Sequence, residues 1–168
     1  MNWIGLWTLT SREVGRFFKV YRQTVIPGLI SSVLYILIFG FTLEQRISSI
    51  EGISYTIFII PGLIMMNTLT NASSNPSSSL LQMKLTGQVP DLMQAPLSSL
   101  EISLAFIVGG VVRGVVNGIL ILLIGMWIGG MEVLYPIATI GFIFVVSVAF
   151  SSMGLLLGQL ADTWDQLA

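Results

Sequence analysis

Long apolar stretches separated by short polar ones run through the chain, and the apolar stretches have the length of membrane crossings. Residues 23–43 carry no charge and are long enough to cross a hydrocarbon core of roughly 30 Å. Residues 55–75 form a second such stretch, with Pro61-Gly62 as an internal bend, and the helix is expected to run on through Ser73–Met83 as it leaves the hydrocarbon. Residues 98–127 and 133–160 are the third and fourth. Ahead of them, residues 2–22 have a different pattern. Trp3, Trp7, Val14, Phe17, Phe18 and Tyr21 recur at helical spacing, and Arg12, Arg16 and Lys19 recur on another face. Such a helix lies in the interface plane, its bases toward lipid phosphates, or packs as a surface helix on a partner. Pro27-Gly28 is expected to kink the chain where it turns into the bilayer.

The polar stretch that divides the two apolar halves is residues 84–97. Gly87 ends what precedes it, Pro90 and Asp91 suit the first turn of a helix, and Pro96 stops that helix after little more than a turn. Pro90, Asp91, Leu92, Met93, Gln94 and Ala95 therefore predict a short helix at the membrane surface, offering Leu92 and Met93 as an apolar knob; a plain surface turn is the alternative. Bases fix the orientation. Arg12, Arg16, Lys19 and Arg22 precede the first span and Lys84 lies in this loop, whereas the loop over residues 43–54 has only Arg46, with Glu44 and Glu51, and Gly129–Glu132 has none. The positive-inside rule predicts a cytoplasmic N-terminus and a cytoplasmic 84–97 loop.

Composition agrees with an all-α polytopic membrane protein: the 168 residues are 54% hydrophobic and 9% charged, against about a quarter charged in soluble domains. A formal net charge of -1 gives no reason to expect a nucleic-acid partner. The chain has no Cys and no His, so disulfides, imidazole bases and the usual metal ligands drop out, and no metal site is expected. No cleavable signal pattern is visible at the N-terminus. No GxxxxGK[ST] loop is present, and a serine nucleophile would have no histidine base. No catalytic residue is therefore assigned.

The polar residues inside the spans are the remaining candidates. Asn67, Thr70, Asn71 and Ser74 share one face of the second span. They either line a path or join helices by hydrogen bonds. Arg113 lies near mid-span in the third, where a guanidinium costs at least about 2.5 kcal/mol unless it faces protein or water. It reads as a path residue or as a structural arginine bonded to backbone carbonyls and Asn117. Gly110, Gly114 and Gly118 form a packing face, and Gly154 and Gly158 a further small pair.

Three segments carry a resemblance: FIIPGLIMMNTLTNASSN at residues 58–75, GQVPDLMQAPLSSLEI at 87–102 and GGVVRGVVNG at 109–118. With them the chain resembles, over nearly its whole length, the membrane subunit of an ABC-2 type exporter, the permease group of drug and polysaccharide exporters. The resemblance implies an N-terminal helix on the cytoplasmic leaflet and a coupling helix at Pro90–Ala95 that docks on a separate ATP-binding subunit. It also implies a homodimer or heterodimer of permeases and ATP bound only by the partner. Leu92 and Met93 become the docking candidates. Family members have six spans and four are predicted here, so the resemblance implies a truncated gene product or a partial sequence; with no carboxylate at the depth of Arg113, this product alone is expected not to transport. A non-transporting membrane scaffold is the competing reading.

Overall fold

A computed structural model describes residues 2–40, 42, 49 and 52–167. Glu44, Arg46 and Glu51 of the first loop lie outside the described residues. Helix α1 (Trp3–Lys19) opens on an Asn2 cap, whose Oδ1 accepts the Gly5 N–H at 3.1 Å, and ends with Arg16 and Lys19 against its C-terminal dipole. The chain turns at Val20 into α2 (Tyr21–Tyr35), which continues as a π-helical turn over Ile36–Gly40. Pro27 sits inside α2, and the break between α1 and α2 falls at Val20.

Helix α3 (Tyr55–Leu85) is a single element of 31 residues, about 46 Å long, which exceeds a bilayer core. It carries both Pro61 and Pro76 inside it, so the expected continuation past residue 75 is unbroken. A turn with Gly87 at φ 71° leads to α4 (Val89–Gln94). Helix α5 (Ser99–Gly129) begins with a reciprocal capping box between Ser98 and Glu101 and ends on left-handed Gly130. Helix α6 (Pro136–Leu160) starts with proline at its first position, and a 3-10 turn follows at Trp164–Gln166.

The run Tyr21–Gly40 and helices α3, α5 and α6 are long and apolar enough to cross a membrane. The chain is thus an all-α polytopic membrane protein, with no β-strand among the described residues. Helices α3, α5 and α6 pack mutually, α1 lies along α5, and α2 touches the bundle lightly. One core cluster joins Ile36, Ile60, Ile64, Ile121, Leu122 and Ile143; a second joins Met83, Phe106 and Leu155 near α4.

The glycine face of α5 is what permits this. A Cβ on Gly114 would stand 2.8 Å from both the Ala72 Cβ and the Ser147 Oγ. One on Gly110 would strike Ser151 and the Ala72 carbonyl, and one on Gly118 would strike Thr68. Gly110, Gly114 and Gly118 therefore let α3 and α6 both close on α5.

Candidate functional site: a polar seam and the short helix below it

A chain of polar side chains runs from α1 into the middle of the bundle. Leu9, Glu13 and Phe17 repeat at a step of four and form the buried face of α1, so Glu13 enters the protein with its apolar neighbours. It is 0% exposed. It sits on Gly109, where a Cβ would lie 2.9 Å from the Glu13 Cβ and 3.0 Å from Asn75 Nδ2. Arg16 follows it inward. Its Nη2 donates to the Asn75 carbonyl at 2.7 Å, and its Nε stands 3.6 Å from Glu13 Oε2, an ion pair too long for a hydrogen bond. Arg16 therefore turns inward and ties α1 to α3. Burial lowers its pKa below the ordinary arginine value, the Glu13 charge opposes that, and Arg12 adds to it. The guanidinium stays charged.

The seam continues one turn along α3 and α5. Arg113 Nε donates to Asn71 Oδ1 at 3.1 Å, and Asn71 Nδ2 donates to the Asn67 carbonyl at 3.0 Å. Asn67 Nδ2 in turn donates to Ser32 Oγ of α2 at 2.9 Å. Asn67 and Asn71 thus join three helices. The expected bonding of Arg113 to Asn117 and backbone carbonyls is replaced: Asn117 Nδ2 donates to the Arg113 carbonyl at 2.9 Å, while the guanidinium takes Asn71. The other guanidinium donors of Arg113 bond no described residue. Thr70 and Ser74 bond backbone carbonyls one turn back, so they stay within α3.

Helix α4 lies at the end of the bundle that carries α1. Pro90, Asp91, Met93 and Gln94 are exposed, and Leu92 and Ala95 are half-buried. Leu92 and Met93 do not act as one knob. Leu92 packs against the Met83–Phe106–Leu155 cluster and seats the helix, whereas Met93 is 79% exposed. A cleft of about 540 Å³ separates α4 from α1, bordered by Asn2, Thr8, Arg12, Gln88, Asp91 and Leu97.

Two clamps hold this end together. The Asn2 backbone N–H donates to Glu101 Oε1 and its side chain to the Pro96 carbonyl at 3.3 Å, while Glu101 Oε2 accepts the Ser98 N–H at 2.7 Å. On the other side Lys84 Nζ donates to the Ala161 carbonyl at 2.9 Å and to the Gln159 carbonyl, and Asp162 stands 3.8 Å away. Lys84 thereby caps the C-terminus of α6. Neither Glu13 nor Lys84 was singled out as a site residue by the sequence. The step Leu9–Glu13–Phe17 is the signal that could have found the first; nothing local marks the second. Among the described residues no three acidic side chains stand together as a metal site.

The family model described as ABC-2 type transporter matches residues 5–168. The chain belongs to the ABC-2 type transporter family. The inner membrane transport permease YadH of Escherichia coli (strain K12) is 35% identical over 168 residues, which cover 100% of this chain and 66% of the relative. Nodulation protein J of Rhizobium leguminosarum bv. viciae is 21% identical, covering 98% of this chain and 63% of the relative. The chain spans about two thirds of the length of the curated relatives it matches. No solved structure matches it. The four apolar helices are long enough to cross the membrane, and the polar seam and α4 are the candidate working parts.

Proposed function

We propose that the chain is the permease subunit of an ATP-driven ABC-2 type exporter of the inner membrane, moving a drug-like, lipid-linked or polysaccharide substrate outward. It works paired with a second permease, and ATP is bound and hydrolysed on a separate ATP-binding subunit. The N-terminus and α4 face the cytoplasm. Family membership and the name of YadH, an inner membrane transport permease, support the membrane and the class of function. In the seam, Asn67 and Asn71 hold helices together, and Arg113 turns its free donors to the substrate path. The observation that carries the reading is α4: a short helix seated by Leu92, next to the α1 end of the bundle, with Met93 left 79% exposed. Burying a methionine side chain gains roughly 1.5–3 kcal/mol, enough to lock a knob into a cleft of the ATP-binding subunit.

A detergent pull-down with the cognate ATP-binding subunit tests this. Met93→Asp leaves insertion and expression unchanged and weakens binding at least about tenfold, equivalent to 1.4 kcal/mol. Retention of the ATP-binding subunit at wild-type strength would refute the docking role of α4 and leave a membrane scaffold as the better reading.

A further inference from the structure

Between α1 and the far end of α3 lies a small cavity of about 200 Å³, lined by Arg12, Arg16, Ser79, Gln82, Met83 and Gln88. Its walls are rich in hydrogen-bond donors. Arg12 and Arg16 stand one helical turn apart on the same face of α1, and both line the cavity. Glu13 is packed on Gly109 and approaches only Arg16, while no ion pair engages Arg12 among the described residues. Arg12 is tied only by a long bond to Gln88 Oε1, at 3.4 Å.

Ser79 supplies the second observation. It is 2% exposed, yet no described residue hydrogen-bonds its hydroxyl. A helical serine normally bonds the carbonyl one turn back. Here that carbonyl, of Asn75, is taken by Arg16 at 2.7 Å. The Ser79 hydroxyl is left for whatever fills the cavity. A second hollow, of about 290 Å³ on the Arg12–Arg16 flank of α1, adds Lys19 to the basic surroundings.

Depth narrows the ligand. Counted from Tyr55, Ser79 and Gln82 lie roughly 36–40 Å along α3, past a hydrocarbon core of roughly 30 Å. The cavity is therefore at headgroup level, and the exposed Trp3 and Trp7 of α1 suit the same interface. We propose that this cavity binds the phosphate of a lipid headgroup, gripped by Arg12 and Arg16, with Ser79 and Gln88 donating hydrogen bonds. Paired guanidiniums match a phosphate's geometry and charge, and such charge-assisted bonds are the strong ones. Because Gln88 immediately precedes α4, a bound headgroup would brace α1 against the short helix. The inference is independent of transport and of any ATP-binding partner.

The test is a titration of the detergent-solubilised full chain with a fluorescent short-chain phosphatidylglycerol. Arg12→Gln is expected to weaken binding at least tenfold and Ser79→Ala at least threefold, with melting temperatures unchanged because Arg12 is exposed and the Ser79 hydroxyl bonds no described residue. Arg22→Gln, which removes an exposed base outside the cavity, is expected to change binding less than twofold. Monogalactosyl diacylglycerol of the same chain length, which lacks phosphate, is expected not to compete. Competition by glycerol 3-phosphate at matching concentration would assign the same phosphate site to a soluble ligand; its failure to compete assigns it to lipid. Equal losses in Arg12→Gln and Arg22→Gln, wild-type binding by Arg12→Gln and Ser79→Ala, or full competition by the galactolipid would each overturn the proposal.

Discussion

The crossing of α3 and α6 is tight enough to predict the cost of a single methyl group. A Cβ on Gly154 would stand 2.6 Å from the Ser73 Cα and 2.7 Å from the Ser73 carbonyl carbon, and would strike the Ser73 carbonyl oxygen. One turn on, a Cβ on Gly158 would lie 2.8 Å from the Ser77 Cα, where ordinary contact starts at 3.4 Å. All these obstacles are backbone, so no side chain can rotate away. At Gly158 the helices must part by about 0.6 Å, and a gap of that size forfeits a quarter to a half of each dispersion contact along the crossing. At Gly154 the separation is larger. Overpacking of this kind costs about 1–3 kcal/mol. Glycine-to-alanine also changes helix propensity, by up to about 1 kcal/mol in alanine's favour. Gly141 removes that term: it lies on the same helix with nothing within 4 Å of an added Cβ. The difference between Gly154→Ala and Gly141→Ala should therefore be about 1–3 kcal/mol, a factor of roughly 5 to 150 in the folding equilibrium. Unfolding of both variants in mixed micelles of rising sodium dodecyl sulfate measures it. If the two variants unfold within about 0.5 kcal/mol of each other, α3 and α6 do not cross at Ser73 and Gly154.

Two further outcomes follow from the ends of the helices. Lys84→Met should speed amide exchange in the last turn of α6 roughly two- to fivefold, since a cation at a helix C-terminus contributes about 0.3–1 kcal/mol, whereas Lys84→Arg should not; the 83% exposed Asp162 adds little. Equal exchange in Lys84→Met and wild type would show that Lys84 caps nothing. The proposed orientation is checked by Ser49→Cys and Ser98→Cys in this cysteine-free chain. An impermeant thiol reagent added to intact cells should label the first and not the second, and the reverse pattern would invert the topology.

Local pattern was enough for the crossings, the short helix and the packing face. Apolar length alone located four spans, because a bilayer imposes a minimum length whatever the neighbours are. Prolines and Gly87 bounded α4, since they act on the backbone of their own segment. The glycines of α5 announced a close approach, because lack of a side chain is a property of the residue itself. What stayed hidden were the partners. Helical spacing placed Arg12, Arg16 and Lys19 on one flank of α1 but could not say that Arg16 would find the Asn75 carbonyl, nor that Glu13 would be drawn in with Leu9 and Phe17. Leu92 and Met93 are neighbouring apolar residues, and only the position of Met83, Phe106 and Leu155 made one a seat and the other a free surface. Arg113 had no visible partner until α3 and α5 packed and brought it to Asn71, and Lys84 met the end of α6 in the same way. Periodicity assigns a residue to a face of its own helix. Which helix covers that face is decided by where α3, α5 and α6 can approach most closely, and that depends on glycines, serines and backbone carbonyls far apart in the sequence.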